Sequence, residues 1–128
     1  GYSLNGRVCE STCSPTYYSF NGTCLSCVSP CQTCTVLSSC MTCQSNNSLF
    51  IDQCVTNCND GYVSINGQCL RCSGNCRTCS AVTYCTGCYN NTFLHLGQCL
   101  DSCPDTFFKN LTTWSCDACL YNCRICLN

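Results

Sequence analysis

The sequence predicts a small disulfide-rich, mainly β fold: an elongated tandem array of short β-hairpin modules with little helix and little hydrophobic core. Three observations support this prediction: the cysteine content, a cysteine spacing that repeats, and Asn-Gly turn signals between the cysteines. Cysteine makes up 22 of the 128 residues, or about 17%, against the roughly 8–10% that indicates a disulfide scaffold. Leu, Ile, Val and Phe together make up just under 20% of the chain, so covalent links must replace an ordinary apolar core.

The cysteine spacing has a period of 45 residues. The series begins at Cys9, restarts at Cys54 and restarts again at Cys99, and the third copy carries a two-residue insertion before Cys116. Residues 9–53 align with residues 54–98 without a gap, and all eight cysteines coincide together with nine other residues. Such a period indicates a tandem repeat architecture.

The segments between the cysteines predict hairpins. Asn21-Gly22 and Asn66-Gly67 each lie between short runs of aromatic and β-branched residues. Asn-Gly is the strongest short hairpin signal, because both central residues of a type I′ turn require a positive φ. Residues 3–8 repeat this pattern, and residues 49–53 and 93–97 are variants of it. No window shows a sustained 3.6-residue apolar period, so helix should be scarce.

Charge and hydropathy exclude several classes of partner. The chain has five Lys and Arg against six Asp and Glu, a net charge of −1, which gives no electrostatic footprint for nucleic acid or an anionic membrane. No stretch approaches the roughly 18 apolar residues of a transmembrane helix, so we expect no membrane insertion by this segment. Cysteines pair in oxidising compartments, so a secreted or cell-surface location is predicted.

The cysteines themselves raise the question of metal binding or thiol chemistry, because eight Cys-x-x-Cys pairs are present. Zinc ribbons place two such pairs about 15–20 residues apart, whereas here the pairs crowd at gaps of three and five residues. Thiol–disulfide exchange favours a reactive pair at a helix N-terminus, and no such helix is predicted. We therefore expect disulfides, with no metal and no cofactor.

Catalysis is not indicated by the remaining polar residues. His95 is the sole histidine, and alternation within residues 93–96 predicts an exposed strand position for it rather than the role of a base. Asp60, before Gly61, is most simply a turn former. The carboxylates are scattered near hairpin bends: Glu10, Asp52, Asp60, Asp101, Asp105 and Asp117. We expect no catalytic residue and no enzymatic activity.

Four Asn-x-Ser/Thr sequons and a set of aromatic residues complete the candidates. The sequons predict N-linked glycans, which would account for solubility with so few charges; they begin at Asn21, Asn46, Asn90 and Asn110. The aromatic residues are expected to cover the disulfides rather than to form a ligand-binding stripe; they are Tyr17, Tyr18, Phe20, Tyr62, Phe107, Phe108 and Trp114.

The run Cys27-x3-Cys31-x2-Cys34-x5-Cys40-x2-Cys43, followed by Cys54-x3-Cys58 and Cys69-x2-Cys72, resembles the furin-like cysteine-rich repeat of the growth-factor-receptor superfamily. Cys103-Pro104-Asp105-Thr106-Phe107-Phe108 is similar to the family's Cys-Pro-x-Gly-Tyr-Tyr stretch, with Thr106 where glycine is usual. Asn59-Asp60-Gly61-Tyr62 keeps that glycine and lacks the proline. Cysteine-periodic surface proteins of ciliates and other protists also look similar. The module occurs in receptors, secreted signals, proteases and surface antigens, so the resemblance implies a fold more than a function.

The resemblance also implies a disulfide pattern, since sequence alone does not fix connectivity. In each unit of this family the first cysteine bonds the third, the second the fourth, the fifth the sixth and the seventh the eighth. Carried over, this pattern gives Cys27–Cys34, Cys31–Cys40, Cys43–Cys54, Cys58–Cys69, Cys72–Cys79, Cys76–Cys85, Cys88–Cys99, Cys103–Cys116, Cys13–Cys24 and Cys119–Cys126.

Cys9 and Cys123 are left over by this pattern, and three interpretations are open. The chain is a window of a longer array, which we favour; or the two cysteines pair between neighbouring copies in a head-to-tail polymer; or the terminal units pair irregularly within the chain. The implied units are 1–26, the C-terminal part of a first unit; 27–71, a complete repeat; 72–118, a complete repeat with the insertion; and 119–128, the start of a further unit.

Taken together, these features predict a non-catalytic extracellular structural glycoprotein that forms part of a surface coat or filament. The expected partners are further copies or further repeats, together with N-linked glycans. A protein-recognition module, either a receptor ectodomain or a secreted ligand, is the alternative.

Overall fold

The computed structural model describes the backbone of residues 3–5, 8–10 and 12–126, and the side chains of residues 12–121 and 123–126. The chain divides into two compact units, Gly1–Cys58 with Ser64–Cys69 and Asn59–Val63 with Leu70–Asn128. The division passes through the hairpin formed by residues 62–71.

In the first unit, consecutive short strands pair as antiparallel hairpins. The strands are Ser3–Asn5 (β1), Val8–Glu10 (β2), Tyr17–Phe20 (β3), Thr23–Ser26 (β4), Cys31–Val36 (β5), Ser39–Cys43 (β6), Ser48–Phe50 (β7) and Gln53–Val55 (β8). Asn21 and Gly22, between β3 and β4, have φ values of 48° and 77°. The predicted Asn-Gly turn is confirmed at this hairpin, because these are the left-handed angles of a type I′ turn.

The remaining strands repeat the same arrangement. They are Tyr62–Ile65 (β9), Gln68–Arg71 (β10), Cys76–Ala81 (β11), Tyr84–Cys88 (β12), Phe93–His95 (β13), Gln98–Leu100 (β14), Phe107–Asn110 (β15) and Ser115–Ala118 (β16). Asn66 and Gly67, between β9 and β10, have φ values of 51° and 77°. Within the described residues, helix is limited to a 3-10 turn at Leu120–Asn122, which confirms the mainly β prediction.

Parallel bridges join neighbouring hairpins side by side, which the sequence does not indicate. The strands form sheets of order β2-β1-β4-β3, β8-β7-β10-β9 and β14-β13-β16-β15, and the pairs β5-β6 and β11-β12 stand as separate two-stranded sheets. Each four-stranded sheet has one parallel bridge, and the three bridges are Leu4 with Thr23, Leu49 with Gln68 and Leu94 with Ser115. The same leucine position therefore sets each junction.

Two further hairpins have two-residue turns without the Asn-Gly pair. Ile51 and Asp52, between β7 and β8, have φ values of 44° and 61°, and Leu96 and Gly97, between β13 and β14, have 46° and 77°. The hairpins predicted at residues 49–53 and 93–97 are thus confirmed. A positive φ at a β-branched residue such as Ile51 is a genuine outlier.

The two-residue insertion lengthens the turn between β15 and β16. The Trp114 amide donates to the Asn110 carbonyl at 2.9 Å, and Trp114 has a φ of 54°. The Trp114 carbonyl accepts from the Leu94 amide at 2.9 Å, as the Gly67 carbonyl accepts from the Leu49 amide at 2.8 Å. The insertion therefore keeps the backbone contact that joins neighbouring hairpins.

Sulfur takes the place of an ordinary hydrophobic core. Among the described residues, the buried hydrophobic side chains are Tyr18, Phe93, Cys24, Cys31, Cys34, Cys40, Cys72, Cys76, Cys85 and Cys116. In the second unit, Cys72, Cys76 and Cys85 form a buried cluster on which Val63 and Leu94 pack. The prediction of little hydrophobic core is confirmed.

Candidate functional site: the disulfide ladder and its exposed surface

Ten disulfides connect the described cysteines, and we refer to them as the disulfide ladder. They are the same ten pairs that the furin-like resemblance implies. The bonds are Cys13–Cys24, Cys27–Cys34, Cys31–Cys40, Cys43–Cys54, Cys58–Cys69, Cys72–Cys79, Cys76–Cys85, Cys88–Cys99, Cys103–Cys116 and Cys119–Cys126.

The ladder repeats as a covalent unit of four bonds. In residues 27–71 the bonded cysteines are separated by 7, 9, 11 and 11 residues, and in residues 72–118 by 7, 9, 11 and 13, the last including the insertion. By the chain-entropy argument, a loop of this size stabilises the folded chain by roughly 2.5–3 kcal/mol per bond. Each repeat is therefore held by its own cross-links.

Two clusters of sulfur atoms mark the same place in successive repeats. The sulfurs of Cys31, Cys40 and Cys54 all lie within 4.8 Å of one another, as do those of Cys76, Cys85 and Cys99. This spacing would suit a soft metal ion, but all six sulfurs are bonded in disulfides. Metal coordination requires the thiolate, so in the oxidised chain these sulfurs act as packed core.

Cys123 is exposed and is the free cysteine of the described part of the chain. Its counterparts in the repeat, Cys31 and Cys76, each bond a cysteine nine residues further on. The side chain of Cys9, the other cysteine left over by the pairing pattern, lies outside the described residues.

Two aspartate–arginine pairs recur along the chain, and sequence reasoning missed them. Asp60 accepts from Arg77 Nε at 2.9 Å, and Asp105 accepts from Arg124 Nε at 3.0 Å. The hydrogen bond and charge of Asp60 raise the pKa of Arg77. The interpretation of Asp60 as a turn former was incomplete. The sequence did contain a signal for these pairs. Both aspartates stand two residues after a cysteine, and both arginines stand directly after a cysteine.

The aromatic side chains singled out in the sequence differ in burial. Tyr18 is buried, Tyr62, Phe107, Phe108 and Trp114 are half-buried, and Tyr17 and Phe20 are exposed. Phe93 stacks on Trp114 with 5.6 Å between the ring centroids, and the Lys109 ammonium lies 5.1 Å from the Phe93 ring centroid.

His95 does not occupy the exposed position that alternation predicted. It is half-buried, and its ring packs edge-to-face with the ring of Phe107, with 4.5 Å between the centroids. The prediction was wrong because alternation within one strand takes no account of neighbouring strands: β13 pairs with β16, and Phe107 on β15, the next strand of the same sheet, contacts the His95 ring.

Residues 31–116 match a family model described as a cysteine-rich furin-like repeat. The match spans about two thirds of the chain. This chain belongs to the furin-like repeat family. No curated protein matches it. Furin-like repeats rich in disulfides indicate an extracellular module, because such bonds form and persist in oxidising environments.

Three of the four sequons of these furin-like repeats present an exposed asparagine. Asn21, Asn46 and Asn90 are exposed, and Asn21 and Asn46 sit in turns with φ values of 48° and 67°. Asn110 is half-buried: its Nδ2 donates to Asp117 Oδ2 at 2.6 Å, and its Oδ1 accepts from the Thr112 amide at 2.9 Å. A glycan attached at Asn110 would replace one of the two Nδ2 hydrogens, next to the contact with Asp117.

The hydroxyl groups of two sequons are part of the folded interior. Ser48 is buried and shares a hydrogen bond with Ser64, and Thr92 is buried and donates to the Tyr89 carbonyl at 2.7 Å. An enzyme that reads these hydroxyls has no access to them in the folded furin-like repeat. Modification at Asn46 or Asn90 therefore requires that it precede folding.

The second unit also carries open cavities. One of them has a volume of about 500 Å³ and is lined by Tyr84, Leu94, His95, Leu96 and Phe107 among others. Tyr84 and Leu96 at its edge are 53% and 83% exposed. In the described residues of these furin-like repeats, no helix has the length and apolar character needed to cross a membrane.

Proposed function

We propose that this chain is a non-catalytic, extracellular structural glycoprotein, and that its furin-like repeats form part of a surface coat or filament. It acts there either by head-to-tail association of copies or as a segment of a longer array. The repeated covalent unit of four disulfides is the observation that carries this proposal. A repeat that is cross-linked within itself can be placed in series without a shared core.

Cys123 supports continuation beyond the described residues. It is exposed, and its counterparts Cys31 and Cys76 are both bonded. A cysteine in a following repeat, or in another copy, would complete the same bond. A contact between two different surfaces of one chain does not close, so repeated head-to-tail contact generates a filament.

Non-reducing peptide mapping of the natively secreted protein tests this proposal. We expect the ten bonds of the ladder, glycans on the exposed sequons, and Cys123 bonded to a cysteine outside residues 1–128 or in another copy. Cys123→Ser should remove covalent oligomers and leave the ten bonds unchanged. A bond between Cys123 and Cys9 of the same copy would contradict the proposal, because the chain would then close on itself.

A protein-recognition module is the second candidate, and the cavity edged by Tyr84 and Leu96 favours it. Large exposed apolar side chains beside a cavity are common at protein-binding surfaces. A secreted protein that stays monomeric at millimolar concentration, without covalent oligomers, would favour recognition over assembly.

A further inference from the structure

A smaller cavity in the second unit is lined by a basic side chain that has no ionic partner among the described residues. Its volume is about 280 Å³, and its lining includes Asp60, Gly61, Tyr62, Arg71, Gly74 and Tyr89. This volume is just below the range typical of drug-sized ligands, so the cavity fits a group the size of a side chain. We refer to it as the Arg71 pocket.

The charge of the Arg71 pocket favours an anion. Arg77 neutralises Asp60 at 2.9 Å, and Arg71 forms no ion pair within the described residues, although it is exposed at the end of β10. The other described basic side chains are engaged, since Arg124 pairs with Asp105 and Lys109 lies on the ring of Phe93. A guanidinium offers paired donors that match a carboxylate.

At the corresponding place one repeat earlier, the side chain that replaces Tyr89 is held by hydrogen bonds within the chain. Ser26 and Gln44 stand where Arg71 and Tyr89 stand in the next repeat. Gln44 accepts from Ser29 Oγ at 3.3 Å and donates to the Cys31 carbonyl at 3.4 Å. The fold of the repeat therefore does not need an arginine at this position, and the third repeat has Ala118 there.

The turn between β7 and β8 offers a matching carboxylate. Asp52 is exposed and forms no ion pair within the described residues, and Ile51 beside it is 78% exposed. Both residues have a positive φ, where two other turns of this length use Asn-Gly.

We propose that the Arg71 pocket receives the Ile51-Asp52 turn of a second copy of this chain. The Asp52 carboxylate pairs with the Arg71 guanidinium, and Ile51 packs at the pocket edge against the tyrosine rings. Because the pocket and the turn are different surfaces, the contact is heterologous and propagates into a chain of copies. This inference rests on the proposed self-association and names its contact.

Sedimentation velocity of the full chain in a Cys123→Ser background, under non-reducing conditions, tests the contact, because this background cannot form covalent oligomers through Cys123. The Cys123→Ser protein should associate reversibly, and the association should weaken as salt is raised. Arg71→Ser, which installs the residue of the preceding repeat, and Asp52→Asn should each weaken association at least about tenfold. In a mixture, Arg71→Asp and Asp52→Arg protein should associate with each other more tightly than either does with itself.

Asp101→Arg is the matched control for Asp52→Arg. Asp101 is also exposed, and its replacement changes the net charge by the same amount, but Asp101 does not lie in the turn between β7 and β8. It should change association by less than about twofold. If it weakens association as much as Asp52→Arg, net charge and not the pocket is responsible, and the inference is overturned. Reversible association that is unaffected by the substitutions at Arg71 and Asp52 overturns the pocket alone, as does a Cys123→Ser protein that stays monomeric while wild-type protein forms covalent oligomers. A wild-type chain that forms neither reversible nor covalent oligomers overturns the proposed self-association as well.

Discussion

The hairpin at residues 59–72 and its counterpart at residues 104–119 have the same backbone contacts but different residues at the key positions. In both, the third residue has a positive φ: 85° at Gly61 and 73° at Thr106. The Gly61 amide donates to the Arg77 carbonyl at 2.6 Å, and the Thr106 amide to the Arg124 carbonyl at 2.7 Å. The bend is thus kept even where a β-branched residue makes it costly.

The comparison indicates that the cysteine pattern and the backbone hydrogen bonds determine the fold of the repeat. The side chains at the key positions can differ without changing that fold. The carbonyls of Gly61 and Thr106 also accept from the amides of the next unit's first cysteine, Cys72 and Cys119, at 2.8 and 2.7 Å. At the turn of the second hairpin, the Trp114 carbonyl takes the place of the Gly67 carbonyl and accepts the hydrogen bond from the neighbouring hairpin. The Trp114 ring also stacks on Phe93. We expect the two hairpins to tolerate substitution differently for this reason.

The largest expected effect tests whether the repeats are cross-linked equivalently. Removing the buried bond by Cys76→Ala with Cys85→Ala should lower the free energy of unfolding by about 2–5 kcal/mol. Cys31→Ala with Cys40→Ala should lower it by a similar amount, because the loops have equal length. Urea unfolding without reductant measures both. Cys123→Ser should stay within about 0.5 kcal/mol of wild type, and a loss below about 1 kcal/mol for either pair would contradict the equivalence.

Gly61→Ala should be the next largest change. The added Cβ would lie 3.0 Å from the Tyr89 hydroxyl, at a φ of 85° that disfavours any side chain. The expected loss in the free energy of unfolding is about 1–3 kcal/mol. In a Tyr89→Phe background the contact is relieved and the strain remains, so the loss should be smaller but still present. An unchanged loss in that background would show that the contact with Tyr89 contributes nothing.

Thr106→Gly should act in the opposite direction. Glycine relieves the left-handed backbone at Thr106 and loses little packing, because this side chain is exposed. After the entropy cost of glycine is subtracted, we expect the free energy of unfolding to rise by about 0.5–1 kcal/mol. Thr112→Gly, in the same hairpin without a positive φ, should instead destabilise. A loss of stability in Thr106→Gly would mean that the threonine side chain makes a contribution larger than its strain.

Local turn chemistry in this chain could be predicted, and contacts between hairpins could not. Asn21-Gly22 and Asn66-Gly67 identify their turns because few other pairs accept two positive φ values. The parallel bridge of Leu49 to Gln68 depends on which hairpins lie side by side, and no local pattern encodes that. The prediction that His95 is exposed failed for the same reason, because the alternation of residues along one strand contains no information about the neighbouring strands.

Pairing in the ladder came from the family resemblance, because spacing alone leaves connectivity open. The Arg71 pocket could not have been found in the sequence. Arg71 and Tyr89 are 18 residues apart, and only the fold brings them to one cavity.

The smallest expected effect distinguishes the two aspartate–arginine pairs. Arg77→Gln installs the residue that the first repeat has at this position, Gln32, and Arg124→Gln makes the same change in the third. Both pairs are exposed, Arg124 more than Arg77, and exposed pairs contribute little and are screened by salt. Each variant should shift the urea midpoint less than Thr106→Gly does. The shift should be larger for Arg77→Gln than for Arg124→Gln, and both shifts should vanish in high salt. The opposite result would be a larger shift for Arg124→Gln than for Arg77→Gln that persists in high salt. It would mean that Arg124 acts through a contact other than its pairing with Asp105. The two hairpins would then differ in electrostatics as well as in backbone strain.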